Sequence, residues 1–370
     1  MTNLGCLPLV EIIKKKINNS EMKAITFYDY MSLCLYHEQY GYYVRNQTKI
    51  GKEGDFYTSS SVGTIMGEML ASYISNQTQT KDEHNITLVE WGGGTGRLAK
   101  QVLDDLQDNH FELYERIKFI SIEESDYHKQ IQSNSLIEHL GKVHFVTGEE
   151  WLSEKHTENV ILFSNELLDA FPVHRLIYDH EKYYEVFVGW DEQSQQFIEK
   201  YLECTDPLLL AYIENQNLQL NQGQKFEINL AATEWLRKLM NSITSATIIT
   251  IDYGDLKDEI YAAYRMEGTL MCYFKHQASQ QPFHHIGEQD ITSHVNFSAC
   301  ILVGKDMGFS HSYMTQKEFL FQSGILNKLQ QHNITDPFHP IVKKNRTIRQ
   351  LLLSDQMSEL FKVLIQKKDV

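Results

Sequence analysis

Leu88-Val-Glu-Trp-Gly-Gly-Gly-Thr-Gly-Arg-Leu-Ala99 decides the fold: an apolar run closes on an acid, turns on four glycines and restarts as a helix. A backbone that bends sharply and lets a ligand come within van der Waals contact needs residues without a Cβ. Gly92, Gly93, Gly94 and Gly96 supply them. The pattern predicts a strand, a tight turn and a helix, with a nucleoside-bearing cofactor at the turn. A turn that serves only packing between strand and helix is the plain alternative, because a short glycine motif has low specificity by itself.

Two cofactor classes use such a turn. From Gly94, the segment Gly-Thr-Gly-Arg-Leu-Ala fits the dinucleotide pattern G-x-G-x-x-G/A. From Glu90, the segment is E-x-G-x-G-x-G, which resembles the first motif of class I S-adenosylmethionine (SAM) methyltransferases. The next apolar run, Ile117–Ile122, ends at Glu123 and Glu124, where a carboxylate can accept both ribose hydroxyls. Glu123 lies 27 residues past Gly96. That is far for the dinucleotide fingerprint, whose acid comes about 20 residues on.

The 370 residues are enough for one elaborated domain or two intimately joined ones, and 42% hydrophobic with 22% charged residues is an ordinary globular balance. A formal charge of −15, from 49 acids against 34 Lys plus Arg, repels phosphate backbones, and the longest basic run is Lys14-Lys15-Lys16. Nucleic acid is therefore a poor substrate, whereas a basic or arginine-containing protein partner is steered favourably. The five cysteines are widely separated and form no C-x-x-C, which fits neither a disulfide framework nor a zinc knuckle and points to a reducing compartment. There is no apolar leader and no membrane-spanning run, and Glu11 and Glu21 sit badly in a transit peptide. The expectation is a bacterial cytoplasmic protein of unassigned oligomeric state.

Along the chain, residues 8–80 read as mostly helical. From Ile86, β-rich runs alternate with helical stretches: Ile86–Trp91, Ile117–Ile122, Val143–Val146, 160–164 and 248–252. Such alternation implies βαβ units and a doubly wound parallel sheet. The interval of about 80 residues after the fourth strand is too long for a structureless connection. It reads as an inserted cap, with an antiparallel meander over 174–178, 183–190 and 196–201 and helices over Pro207–Gln216 and 231–240. Residues 268–274 and 309–314 suit a closing strand pair around a helix over 297–307. The expected divisions are an N-terminal helical region with a partial lid (1–80), a core (81–165 and 245–325), the cap (166–244) and a helical C-terminal extension (326–370).

The second chemical segment follows the fourth strand: Asn165-Glu166-Leu-Leu-Asp169-Ala-Phe-Pro172-Val-His174. Ligand crevices of open α/β sheets lie at the carboxyl ends of the strands, so Asn165 and Glu166 are expected to face the cofactor. Glu166 and Asp169, three apart, share a side if the segment turns helically, and paired acids hold a guanidinium in bidentate fashion. A helix cap with an acid in its first turn is the plainer reading. Asp252-Tyr253-Gly254 either lines the same pocket or simply ends a strand. Tyr42 and Tyr43 read as core aromatics, and Trp151 as either an adenine platform or a packing residue. His276, His284, His285 and His294 lack ligand spacing, so no metal is expected.

Taken together, the chain resembles the MidA-like family of SAM-dependent methyltransferases, whose mitochondrial members are complex I assembly factors and protein arginine methyltransferases. The resemblance runs from about Thr26 to about Gln322. It rests on Gly41-Tyr-Tyr43, Gly54-Asp-Phe-x-Thr58, Val89-Glu-x-Gly-x-Gly-x-Gly96, Asn165-Glu-x-x-Asp-Ala-x-Pro-Val-His174, Asp252-Tyr-Gly254, Gly268-Thr-Leu270 with His276, and Gly287-Glu-Gln-Asp-Ile-Thr-x-His-Val295. It implies an α/β class I methyltransferase fold, a Rossmann-like seven-stranded sheet with the helical N-terminal region and inserted α+β cap. Glu90, Gly92, Gly94, Gly96 and Glu123 would surround SAM, with Asp55 closing over it.

The same resemblance implies that Asn165, Glu166 and Asp169 carry catalysis, with Pro172, His174, Asp252, Tyr253 and His276 on the substrate side. The implied activity is methyl transfer to a protein side chain, arginine first. A SAM-binding assembly protein with little catalysis is the alternative. Departures from the family pattern are Gly93 where proline is usual, Ser60 and Ser61 in place of a Pro-Glu pair, and Leu167 and Leu168 in place of two phenylalanines.

Overall fold

The computed structural model describes residues 4–45, 63–78, 85–353 and 359–369. Its main sheet is built from β1 (Ile86–Trp91), β2 (Ile117–Ile122), β3 (Val143–Val146), β4 (His156–Asn165), β5 (Ile243–Asp255), β6 (Ser310–Thr315) and β7 (Phe361–Lys368). The spatial order is β3-β2-β1-β4-β5-β7-β6, with Val295–Asn296 adding a short parallel pairing at the end of β5. The first five strands pair in parallel, and β7 runs antiparallel between β5 and β6.

Alternate residues of each strand serve opposite faces, as the two-residue repeat of a strand requires. Leu88, Phe119, Phe163 and Ile251 join one apolar layer with helices Ile65–Thr78, Arg97–Asn109 and Pro340–Leu353. Val89, Ile120, Leu162 and Ile248 join the other, with helices Leu230–Ser242 and Phe297–Asp306. Because both faces are covered, the inner strands read as continuous apolar runs. Strand β1 has β2 on one side and β4 on the other, so the chain reverses its winding direction there and opens a crevice at the carboxyl ends.

The interval between β4 and β5 forms its own sheet from His174–Asp179, Lys182–Asp191, Gln196–Glu203 and Gln224–Ile228. His180 and Glu181, with φ of +47° and +60°, make the tight turn that joins the first two strands. The N-terminal region packs onto this sheet rather than standing apart. Ile25–Thr26 pairs with the meander at Phe187 and Val188, and helices Leu7–Asn19 and Phe27–Tyr36 bury Leu9, Ile13, Phe27 and Tyr30 against Val188 and Phe197. The first helix carries its apolar residues at Leu9, Val10, Ile13 and Ile17, the spacing of a one-sided helix.

Two expectations are corrected. Residues 268–274 do not close the main sheet: Met271–Phe274 pairs with Gln277–Ser279 and Asp290–Thr292 in a separate three-stranded sheet. The partner of β6 is β7, from the region expected to be helical; among the described residues only Ile325–Lys328 and Pro340–Leu353 are helical there. Val363, Leu364 and Ile365 are buried between two strands, while Lys362 pairs with Asp255 at 3.0 Å. A short apolar run between lysines has no periodicity that distinguishes strand from helix. No helix among the described residues is long and apolar enough to cross a membrane.

Candidate active site

The glycine turn leaves β1 through left-handed backbone, with φ of +73° at Gly92, +53° at Gly94 and +74° at Gly96. A side-chain carbon at Gly92 would lie 2.9 Å from Leu167 Cδ1, so the turn passes directly under the segment that follows β4. One at Gly93 would overlap the Glu90 carboxylate. Glu90 is 2% exposed, and its Oε2 has no hydrogen-bond partner. Burial, and then the charge of Glu123, push its carboxyl up to about 8. Glu123, at the end of β2, accepts from Ser125 N–H at 3.0 Å, and burial raises it too.

Gln132 ties these parts together. From helix Asp126–Ser135 its Nε2 donates to Gly94 O at 3.0 Å and Glu123 Oε2 at 3.3 Å, while its Oε1 accepts from Ser121 Oγ at 2.5 Å. Its polar helix gives no motif that would have marked it. A buried acid with one oxygen unpartnered, a second acid at the next strand end and a Cβ-free turn suit a cationic, ribose-bearing ligand.

Beside this turn, β4 ends at Asn165 and the chain bends through Glu166, whose φ is +53°. A non-glycine residue in this region costs of order 1 kcal/mol and points to a functional demand. The bend is held by Asp252, which accepts from Leu167 N–H at 3.1 Å and Leu168 N–H at 2.8 Å through Oδ2, and from Tyr253 N–H at 2.8 Å through Oδ1. Three further segments grip its carbonyls: Asn229 Nδ2 donates to Leu168 O at 3.0 Å, Ser293 N–H to Asp169 O at 3.0 Å, and Tyr36 OH to Ala170 O at 2.9 Å. The bend is thus imposed by tertiary contacts.

The cluster so formed is acidic. Glu166 Oε1 accepts from Asn165 Nδ2 at 2.8 Å and its Oε2 from Tyr253 OH at 3.4 Å. Burial pushes its carboxyl up to about 8, and Asp252 and Asp290 push the same way. Asp169 is 4% exposed with Oδ1 unpartnered; burial, then Asp252, Glu166 and Asp290, raise it well above the carboxylate range. No lysine, arginine or histidine among the described residues forms an ion pair with Glu166, Asp169 or Asp252. Buried acids without a cation are costly, so the arrangement is complementary to a positively charged guest.

Comparison with known proteins agrees with this geometry. Residues 69–315, about two thirds of the chain, match the family model described as "Putative S-adenosyl-L-methionine-dependent methyltransferase". The chain belongs to this family. S-adenosylmethionine is its cofactor, and methyl transfer its class of reaction. A Burkholderia thailandensis protein whose crystal structure holds S-adenosyl-homocysteine is similar over 98% of this chain and 92% of its own, with 25% identity and a TM-score of 0.86. The Caenorhabditis elegans protein named protein arginine methyltransferase NDUFAF7 homolog, mitochondrial, is 23% identical over 83% of this chain and 74% of its own length. Its Drosophila melanogaster namesake is 28% identical, over 43% of this chain and 40% of its own.

Within this methyltransferase, Glu90, Gly92, Gly94, Gly96 and Glu123 come together at one cleft, and Asn165, Glu166 and Asp169 at the adjoining pocket. Asp55, expected to close over the cofactor, lies outside the described residues, as do Ser60 and Ser61. Trp151 is corrected from a platform to a packing residue: it is 5% exposed in an apolar layer, with one ring face closed by His156 at 3.5 Å. Asp252, expected to meet substrate, is fully buried and acts as the clamp of the bend. Tyr253 OH donates to Glu166 Oε2 at 3.4 Å and so joins the acidic cluster.

Pro172 is buried beyond the bend. His174 is turned to the cap, where Nδ1 meets Glu185 Oε1 at 2.7 Å and the ring stacks on Tyr28 at 4.9 Å. His276 occupies an exposed hairpin turn with φ of +63° and is not part of the acidic cluster. Tyr42 is core, 4% exposed, but Tyr43 OH donates to Asp290 Oδ2 at 2.7 Å and its ring stacks on Tyr36 at 5.4 Å. Tyr43 and Asp290 fall in segments that carry the family resemblance, but spacing does not place them at the site, nor Tyr36 and Tyr273, because no local pattern links residues so distant along the chain.

Proposed function

We propose that this methyltransferase modifies a protein, and that the methyl acceptor is the guanidinium of an arginine side chain. The observation that carries the reading is the pair Glu166 and Asp169, buried, in no ion pair among the described residues, and adjoining the cofactor turn. The names of the animal relatives support the same acceptor.

A guanidinium is always protonated near neutral pH, with a pKa above about 12, so it enters as a cation and suits two carboxylates. Bidentate hydrogen bonds to Glu166 and Asp169 draw positive charge toward the nitrogens they hold and leave the remaining terminal nitrogen richer in electrons. S-adenosylmethionine supplies a methyl group on a positively charged sulfur, which keeps the bonding pair on transfer. As the N–C bond forms, the attacked nitrogen sheds a proton, and Glu166, with its carboxyl pushed up to about 8, is suited to take it. The fixed bend between Glu166 and Ala170 contributes mainly orientation, which matters most when the donor is already activated.

Glu166→Gln is expected to keep S-adenosyl-homocysteine binding by calorimetry within about threefold, while methyl transfer falls by about 10²-fold or more. Unimpaired transfer per bound cofactor would remove Glu166 from the chemistry.

A further inference from the structure

Ser121 breaks an apolar face. The two-residue repeat of β2 puts Ile117, Phe119 and Ser121 on one side, and the first two belong to an apolar layer. Ser121 is fully buried, and a hydroxyl so placed is costly unless it is bonded. It donates to Gln132 Oε1 at 2.5 Å, while Gln132, also fully buried, donates through Nε2 to Gly94 O at 3.0 Å and Glu123 Oε2 at 3.3 Å. A side chain that must offer two donors and one acceptor in this place is an amide: a glutamate of the same shape has no N–H to give. Gly96 lets the amide come so close, since a side-chain carbon there would lie 3.1 Å from Gln132 Cγ and 3.2 Å from its Cα. In front of this buried pair, the Glu123 side chain is 11% exposed and so reaches open space. Ser125 N–H holds its Oε1 at 3.0 Å and Gln132 its Oε2, with His128 Nδ1 4.0 Å from Oε1. Donors on both oxygens fix the plane of the carboxylate, which has about four acceptor sites and so can still accept from a ligand.

We infer that Ser121 and Gln132 are positioning residues for the cofactor's ribose: through the amide they lock the Glu123 carboxylate to the Gly94 carbonyl, so that each carboxylate oxygen meets one hydroxyl of the vicinal diol. Ser121 steadies the amide from behind, and the amide sets the angle of the acid. A carboxylate free to rotate would take one hydroxyl at a time, and the diol would add less to affinity. The inference rests on the placement of the ribose at Glu123 and is independent of the methyl acceptor.

The test titrates the full chain by calorimetry with three probes: S-adenosyl-homocysteine and its 2′-deoxy and 3′-deoxy counterparts. The wild-type protein is expected to bind the parent compound about tenfold tighter than either deoxy form. Gln132→Glu keeps the shape of the side chain and removes both donors, and it is expected to bring that preference to within about twofold of parity. Ser121→Ala leaves the amide in place without its support. It is expected to cut the preference by about threefold, with the deoxy forms bound as the wild type binds them. A preference that survives in either variant, even where all three affinities fall together, makes the pair merely structural; that result overturns the inference and leaves the ribose at Glu123. A wild-type protein that binds the three probes alike overturns the ribose placement and the inference together.

Discussion

Glu90 and Glu166 each hold a carboxyl pushed up to about 8, and each stands where the proposed function puts a cation. A sulfonium brought beside Glu90 favours its charged form, so cofactor binding at pH 7 is expected to release protons. Calorimetry in two buffers of different ionisation enthalpy should give different heats, and Glu90→Gln should reduce that difference. Glu166 has a stability consequence of definite sign. Its folded-state value near 8 lies above the unfolded value near 4.5, so the folded protein binds more protons between them and loses stability as pH rises through that window. Glu166→Gln is therefore expected to stabilise the ligand-free protein at pH 8 by about 1–2 kcal/mol, read as a higher Tm, and by much less at pH 5. In the wild type, kcat/KM should climb with pH toward about 8, and that limb should vanish in any residual activity of the variant. Gln132→Ala, which frees the Gly94 carbonyl and Glu123, should weaken S-adenosyl-homocysteine by about tenfold with little change in the acceptor peptide.

Elements with a strong local signature were legible. The strands Ile86–Trp91, Ile117–Ile122 and Val143–Val146 have the bounds read from their Val, Ile and Phe content, and the helix Pro207–Gln216 has a capping Asp206, a first-turn proline and a left-handed Asn217 at its end. The meander is likewise announced by alternating residues around polar turns. What was hidden depends on long-range pairing. β7 is a strand because β5 and β6 bracket it, and Gln366, buried among apolar neighbours, is accommodated by donating to Cys300 O at 3.1 Å. Because β7 joins β6 to the rest of the sheet, Leu364→Ala should cost about 2–5 kcal/mol, read as a lower denaturation midpoint, without altering cofactor affinity. In the site, the acids of the bend were visible as a motif with a chemical reading, whereas Tyr43 and Asp290 lay in family segments without one and Tyr36 in none, since only the packing of the N-terminal region on the cap brings them there.

For the whole molecule, the two sites meet because the glycine turn and the Glu166 bend leave adjacent strands at the same edge, where Gly92 gives Leu167 room to cross. A net charge of −15 favours the approach of a basic partner, as the proposed function requires, over that of a polyanion. The account is tested most directly by incubating the protein with methyl-labelled S-adenosylmethionine and host-cell protein, then hydrolysing the products for amino-acid analysis. Label in methylarginine, lost in Glu166→Gln, is the predicted result. Label in any other amino acid, or a protein that binds S-adenosylmethionine and transfers nothing, would contradict it.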